Sequence, residues 1–377
     1  MLKNKIYQNY IKEILKTFFI ILFGLSVIAW TVRAVNFLDL IVDDGYSIIT
    51  YFQYSFLNLF GILTKFIPLA FLISLIIFII KQIQESEFLI LWVAGVKKLK
   101  IINLFCFVSF LVLIFYITFS TFLTPMALNK SRLLLGKDGF NSFLPTIRVQ
   151  QFSDSFQGFT FLVEKKVGNE IKNIFIHDEA NILKKINTNK SSSDTSTIVA
   201  KEGLVQEKKM VLFNGSILTA KKNSSETNII KFKQLNIDLK DLQADTITFP
   251  KLQETSTHDL TMCLMGRNFD TNNCKEGTKK EIVTTLNRRL VLPLYIPIIA
   301  LLCSFLLIEN KRQKRRFINQ YSVFTISFLV LLYAELIIRY TGLSKIISLL
   351  FLTTPFLLIL FLYFLLIYQT SRDITSK

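Results

Sequence analysis

Three stretches of this chain, Ile101–Leu123, Leu290–Ile308 and Ile346–Tyr368, run for 23, 19 and 23 residues without one charged side chain. As helices rising 1.5 Å per residue they extend roughly 28 to 35 Å, enough to cross the hydrocarbon core of a bilayer. Phe317–Ala334 is a fourth run of this kind. Thr17–Val32 is shorter, but its apolar pattern resumes after Arg33 through Leu38, so it reads as a long helix with one cation near its end. Phe66–Ile80 is preceded by an aromatic stretch, Tyr51 to Thr64, expected to lie in the interface before the chain dives after Lys65. The expectation is six crossings, three on each side of a long middle segment. A composition of 51% hydrophobic and 19% charged residues, with 36 Phe and 12 Tyr, excludes a purely soluble enzyme of 377 residues. The net charge of +17 would suit a nucleic-acid binder, but the cations cluster at the ends of the apolar runs.

Orientation follows from those cations. Lys3, Lys5, Lys12 and Lys16 precede the first crossing, and Lys81, Lys97, Lys98 and Lys100 fill the second connection. Lys311, Arg312, Lys314, Arg315 and Arg316 fill the fourth, and Arg372 and Lys377 the tail, whereas Asp39, Asp43 and Asp44 lie on the opposite side. The positive-inside rule therefore puts both termini in the cytoplasm. The first apolar run lacks a small-residue cleavage site and follows an amphipathic segment, so no cleavable signal peptide is expected.

The segment 124–289 regains charge and falls on the non-cytoplasmic side. Phe159–Val167 and Ile171–His177 alternate like strands around Gly168-Asn169. Thr197–Ala200, Leu204–Val205, Met210–Phe213 and Ile217–Ala220 follow, with turns expected at Lys201-Glu202-Gly203 and Asn214-Gly215, and Asn228–Leu239 alternates again. Lys184–Ser196 reads as a loop. The expected fold is an α+β membrane protein: residues 1–123 hold three transmembrane helices, 124–289 an all-β sandwich or open barrel with its connectors, and 290–377 three more helices.

The second connection, Lys81–Lys100, is more apolar than a turn needs to be. Glu85-Ser86-Glu87 leads into nine uncharged residues, Phe88–Val96, which as a helix reach about 13 Å and cannot span a bilayer. Phe88, Leu91 and Trp92 at i, i+3, i+4 make a stripe that needs a cover. Glu85 and Glu87 are expected in the first turn, where carboxylates favour the helix dipole, and Gly95 at its end. A helix over about 84–96 would suit a groove on a cytosolic partner; lying on the lipid headgroups is the other reading.

Charges near the outer ends of the spans are candidate ligands for an anionic lipid. Arg33 could bind a lipid phosphate, or else snorkel or pair with Asp39. Lys65 stands at the outer end of the second crossing and Arg288 and Arg289 at that of the fourth, where ordinary anchoring is the alternative. Glu335 and Arg339, at i, i+4, could neutralise each other.

Other chemistry finds little support. No Gly-x-x-x-x-Gly-Lys-Ser/Thr pattern occurs, so ATP hydrolysis is not expected of this chain; Gly136-Lys137-Asp138 lacks the flanking groups. His177 and His258 do not stand at metal-ligand spacing with the cysteines, so no metal and no catalytic residue is expected. Cys106 and Cys303 read as core residues, and Cys263 and Cys274 either form a disulfide in an oxidising compartment or remain free. Ion-coupled transport would want carboxylates at mid-membrane depth.

A resemblance then narrows the field. The amphipathic start, Pro68 in the second crossing, the turn from Glu85-Ser86-Glu87 to Ala94-Gly95, the inserted β segment, and Asn287-Arg288-Arg289-Leu290 with Leu292-Pro293-Leu294 together resemble the lipopolysaccharide export permeases LptF and LptG. The Glu-Ser-Glu turn is closer to LptF. The short tail and Trp92-Val93-Ala94 depart from the pattern, which has more polar residues in the turn. The resemblance implies a bacterial inner-membrane half-transporter that pairs with a second permease. A cytosolic ATPase dimer binds the turns and uses the ATP, so this chain holds no cofactor. Lipopolysaccharide passes to periplasmic β-jellyroll bridge proteins, and the inserted domain is itself jellyroll-like. The turn residues Glu85, Glu87, Phe88, Leu91, Trp92 and Gly95 would couple to the ATPase, and Arg33, Lys65, Arg288 and Arg289 would meet lipid phosphate. The competing reading is a non-transporting membrane scaffold whose β domain binds a partner.

Overall fold

The structure is a computed structural model. It describes residues 5–42, 46–138, 149–156, 159–167, 169–178, 194–206, 209–221, 227–238, 250–265, 278–308 and 320–375. Among the described residues six helices are long and apolar enough to cross a membrane, three before and three after an antiparallel sheet. The chain is thus a multi-pass α+β membrane protein.

The first helix, α1 (Lys5–Asn36), is followed by the short α2 (Asp39–Val42) and by α3 (Ile48–Gln84). Ser47 caps α3, its hydroxyl accepting from the Thr50 N–H at 3.2 Å. The aromatic stretch from Tyr51 to Thr64 is not a separate interfacial piece. It belongs to the same unbroken helix as the crossing, because nothing between Ile48 and Pro68 interrupts the backbone hydrogen bonds and Lys65 is carried on the helix surface. A seven-residue helix, α4 (Glu87–Val93), precedes α5 (Lys98–Thr118), which passes through a π-turn (Phe119–Leu123) into α6 (Thr124–Asp138).

After the sheet come α7 (Thr257–Leu264), α8 (Lys279–Leu290), a 3₁₀ turn at Leu292–Leu294, α9 (Tyr295–Ser304), α10 (Gln320–Thr341) and α11 (Lys345–Thr375). Pro293 breaks the fourth crossing into two helical pieces because it has no N–H to continue the ladder.

The chain divides into two compact units: Met1–Val32, Asn58–Leu128 and Lys251–Lys377 form one, and Arg33–Leu57 with Asn129–Pro250 the other. Within the connector after Lys251, Thr257–Leu264 are helical: Ser256 caps α7 by accepting from the Asp259 N–H, and Leu260 and Cys263 bury against Ile282 and Leu286 of α8.

Apart from the small α7–α8 cluster, the described residues of the membrane unit share a large apolar core. Ile14, Phe18 and Leu22 of α1, Phe71, Leu75 and Phe78 of α3, Phe105 and Val108 of α5 and Ile296 and Ile299 of α9 meet there. On the outside, α1, α10 and α11 expose Phe23, Ile28, Leu329, Leu336, Leu357 and Phe361, side chains that only a lipid or protein cover satisfies.

In the second unit Tyr51 donates to the Ala34 carbonyl at 2.9 Å and Phe37 packs edge-on against Tyr54, closing the α1–α3 hairpin. The strands are β1 (Ser153–Phe156), β2 (Phe159–Val167), β3 (Glu170–Asp178), β4 (Asp194–Gln206), β5 (Lys209–Lys221) and β6 (Thr227–Asp238). They form one antiparallel sheet in sequence order. Its buried side chains include Phe161, Val163, Ile174, Ile198, Leu212 and Ile217.

The turns expected at Lys201-Glu202-Gly203 and Asn214-Gly215 do not form; β4 and β5 continue through them, pairing Gly203 with Leu212 and Ala200 with Gly215, with a local irregularity at Asn214, which takes φ 51°. These glycines serve close approach. A Cβ at Gly203 would stand 2.6 Å from Ile174 Cδ1, and one at Gly215 would stand 2.4 Å from the Phe232 ring. The expected loop over residues 184–193 lies outside the described residues, and Asp194 to Ser196 open β4.

Candidate functional site

The connection between α3 and α5 is a finished small structure. Ser86 sits at φ 58°, a left-handed conformation that ends α3 and starts α4 in a new direction. For this reason Glu85 is outside the first turn of α4, contrary to expectation, and Glu87 alone is in it. At the other end Gly95 takes φ +82°. The Val96 N–H reaches the Leu91 carbonyl at 3.0 Å and the Gly95 N–H the Trp92 carbonyl at 3.1 Å, the two bonds of a Schellman stop.

The stripe of Phe88, Leu91 and Trp92 is where its spacing puts it, but its cover comes from this chain. Phe88 is only 3% exposed, edge-on to Tyr10 of α1 at 6.3 Å and to Phe78 of α3 at 6.4 Å. Leu91 is buried beside it, and Trp92, half-buried, stacks on the Phe88 ring at 5.9 Å. Phe88 and Leu91 are therefore withdrawn from any partner, because α1 and α3 already exclude water from that face. The side of α4 left open carries Leu89, Ile90 and Val93, the last 83% exposed. Sequence reasoning passed over these three because the i, i+3, i+4 stripe drew attention to the opposite face.

Polar contacts fix the seat. Tyr10 donates its hydroxyl to Glu87 Oε2 at 3.1 Å, and Lys81 Nζ meets Glu13 Oε1 at 2.6 Å. The first crossing's foot thus holds both the end of α3 and the start of α4.

The four candidate cations have different surroundings. Arg33 stands exposed in the last turn of α1, with no ion pair to Asp39 among the described residues. Lys65 is exposed on α3, in the other compact unit from Arg33. Arg288 pairs with Glu335 of α10 at 2.6 Å, so Glu335 is neutralised by α8 and not by Arg339. Arg289 is 5% exposed. Its Nη1 donates to the Thr255 carbonyl (3.0 Å) and Thr257 Oγ1 (2.9 Å), and its Nη2 to the carbonyls of Leu252 (3.2 Å) and Gln253 (3.1 Å). All four terminal N–H bonds are directed at protein, which leaves only the Nε–H of its five donors for a lipid phosphate.

Cys263 is disulfide-bonded, Cys106 and Cys303 are free, and Cys274 lies outside the described residues. His177 bonds Thr197 across two strands at 2.9 Å, and His258 is exposed beside Asp259.

No curated protein matches the chain significantly. The family described as lipopolysaccharide export system permease LptF/LptG matches residues 9–369, nearly the whole length, and so takes in the first crossing with its Tyr10 foot, the α4 turn, the inserted sheet and the Arg289 helix. The chain belongs to the lipopolysaccharide export permease family LptF/LptG.

Proposed function

We propose that this protein is the LptF-type half of an ATP-driven exporter in a bacterial inner membrane, with both termini in the cytoplasm. It pairs with a second permease of the same family and lifts lipopolysaccharide toward a periplasmic β-jellyroll bridge. ATP is hydrolysed by a cytosolic ATPase dimer whose groove takes the open face of α4. The observation that carries this reading is the uncovered row of Leu89, Ile90 and Val93 on a helix tied to Tyr10 through Glu87 at one end and closed by a Schellman stop at the other. A helix held that firmly can pass a push from its outer face to α1 and α3 through Tyr10, Phe78 and Lys81.

Among the cations, Arg33 is best suited to lipid phosphate, since its guanidinium is exposed in the last turn of a crossing. Lys65 is the second such group, and Arg288 would have to leave Glu335 to serve. The test is reconstitution of the chain with its companion permease and ATPase in proteoliposomes containing lipopolysaccharide. ATP-dependent transfer of that lipid to a soluble jellyroll acceptor is the expected result; ATP hydrolysis with no transfer would count against the assignment.

A further inference from the structure

The clasp around Arg289 connects more than one helix. Thr257 accepts from Arg289 and donates its own proton to the Thr121 carbonyl at 3.0 Å, so the bonds run in one direction from α8 through α7 to the π-turn. The reason for a π-turn there is legible: Pro125 has no N–H and cannot supply the usual donor four residues after Thr121. One step further, Thr124 shares a hydroxyl contact with Thr64 of α3 at 3.1 Å. The fourth crossing with the segment that re-enters the membrane unit at Lys251, and separately the second crossing, are therefore held to the end of the third by two sets of polar contacts that meet at the π-turn and the first residue after it.

We propose that Arg289 is a positioning residue that anchors the segment 252–257 returning from the sheet to the outer ends of α3 and α5, and that this anchor makes lipid delivery follow ATP hydrolysis. The proposal rests on the exporter reading above. A guanidinium is suited to the task because its planar fork addresses four acceptors at once, whereas an ammonium offers a compact point charge. The π-turn is suited to it because local re-registration of a helix needs little motion elsewhere.

Two mild variants test it in the full complex: Arg289→Lys keeps the charge but not the fork, and Thr257→Val keeps the shape but breaks the relay. A nitroxide at residue 253 reports motion of the returning segment, and lipid delivered to a jellyroll acceptor per ATP hydrolysed reports coupling. Both variants are expected to assemble with the ATPase and to hydrolyse ATP as the unsubstituted complex does, with a more mobile nitroxide. Delivery per ATP should fall by about threefold for Thr257→Val and about tenfold for Arg289→Lys. Unchanged delivery per ATP in both, despite a mobile nitroxide, would make the clasp mere scaffolding and overturn the proposal, as would loss of assembly and delivery in parallel in Thr257→Val. If the unsubstituted complex delivers no lipid, the exporter reading fails, and an unchanged nitroxide would then separately sink the anchor.

Discussion

The two ends of the membrane unit are finished in opposite ways. At the α4 end an apolar surface is left open, and the polar groups beneath it, Tyr10, Glu13, Lys81 and Glu87, secure a seat. At the Arg289 end the reverse holds: every terminal guanidinium N–H has an acceptor in the same chain. An unpaired polar group in a dry place costs free energy, so a closed network there holds its elements together. Open aliphatic surface on a helix locked at both ends offers binding energy to whatever arrives. The difference separates a part built to hold from a part built to receive.

The largest effect that would sharpen this contrast lies within α4. Phe88→Ala empties the buried face and should cost about 3–5 kcal/mol, whereas Val93→Ala on the open face should stay within about 0.5 kcal/mol. Thermal unfolding in detergent measures both; similar losses would mean that the two faces are not distinct. Next in size is Gly342, beyond α10. A Cβ there would stand 2.2 Å from the Lys280 carbonyl oxygen at the start of α8. Gly342→Ala should lower stability by about 1–3 kcal/mol through overpacking, read as an earlier detergent melt, and a neutral outcome would show that the α8–α10 contact yields easily. Smaller again is Tyr10→Phe, which removes one hydrogen bond worth about 1 kcal/mol. Its expected signature is faster amide exchange in α4 with the crossings unchanged; slow exchange throughout would leave Glu87 without a role in the seat.

Much of this is legible in the amino-acid sequence. Charge-free runs are a consequence of lipid solvation, so the six crossings follow from them, and the inserted strands follow from the alternation of apolar and polar residues. The stripe of Phe88, Leu91 and Trp92 was equally legible, but not its cover, since Tyr10 lies 77 positions from Glu87 and no local pattern records such a pairing. Arg288 and Arg289 look alike in sequence, yet adjacent helical residues point about 100° apart, so one reaches the surface and the other the clasp. Asn214-Gly215 carries a strong turn signal, and packing overrode it: Gly215 is required under the Phe232 ring. Ser256 and Asp259 stand at cap spacing for α7, but the polarity of the residues around them masks the helix signal.

The central claim is that the outer face of α4 receives a cytosolic ATPase. Photoreactive side chains placed singly at positions 93 and 88 of the membrane-embedded protein, co-expressed with its cognate ATPase, test it directly. The account predicts strong crosslinking of position 93 to the ATPase, while position 88 crosslinks only within the chain, to α1 or α3. Crosslinking of position 93 to lipid alone, with the ATPase present and active, would contradict it.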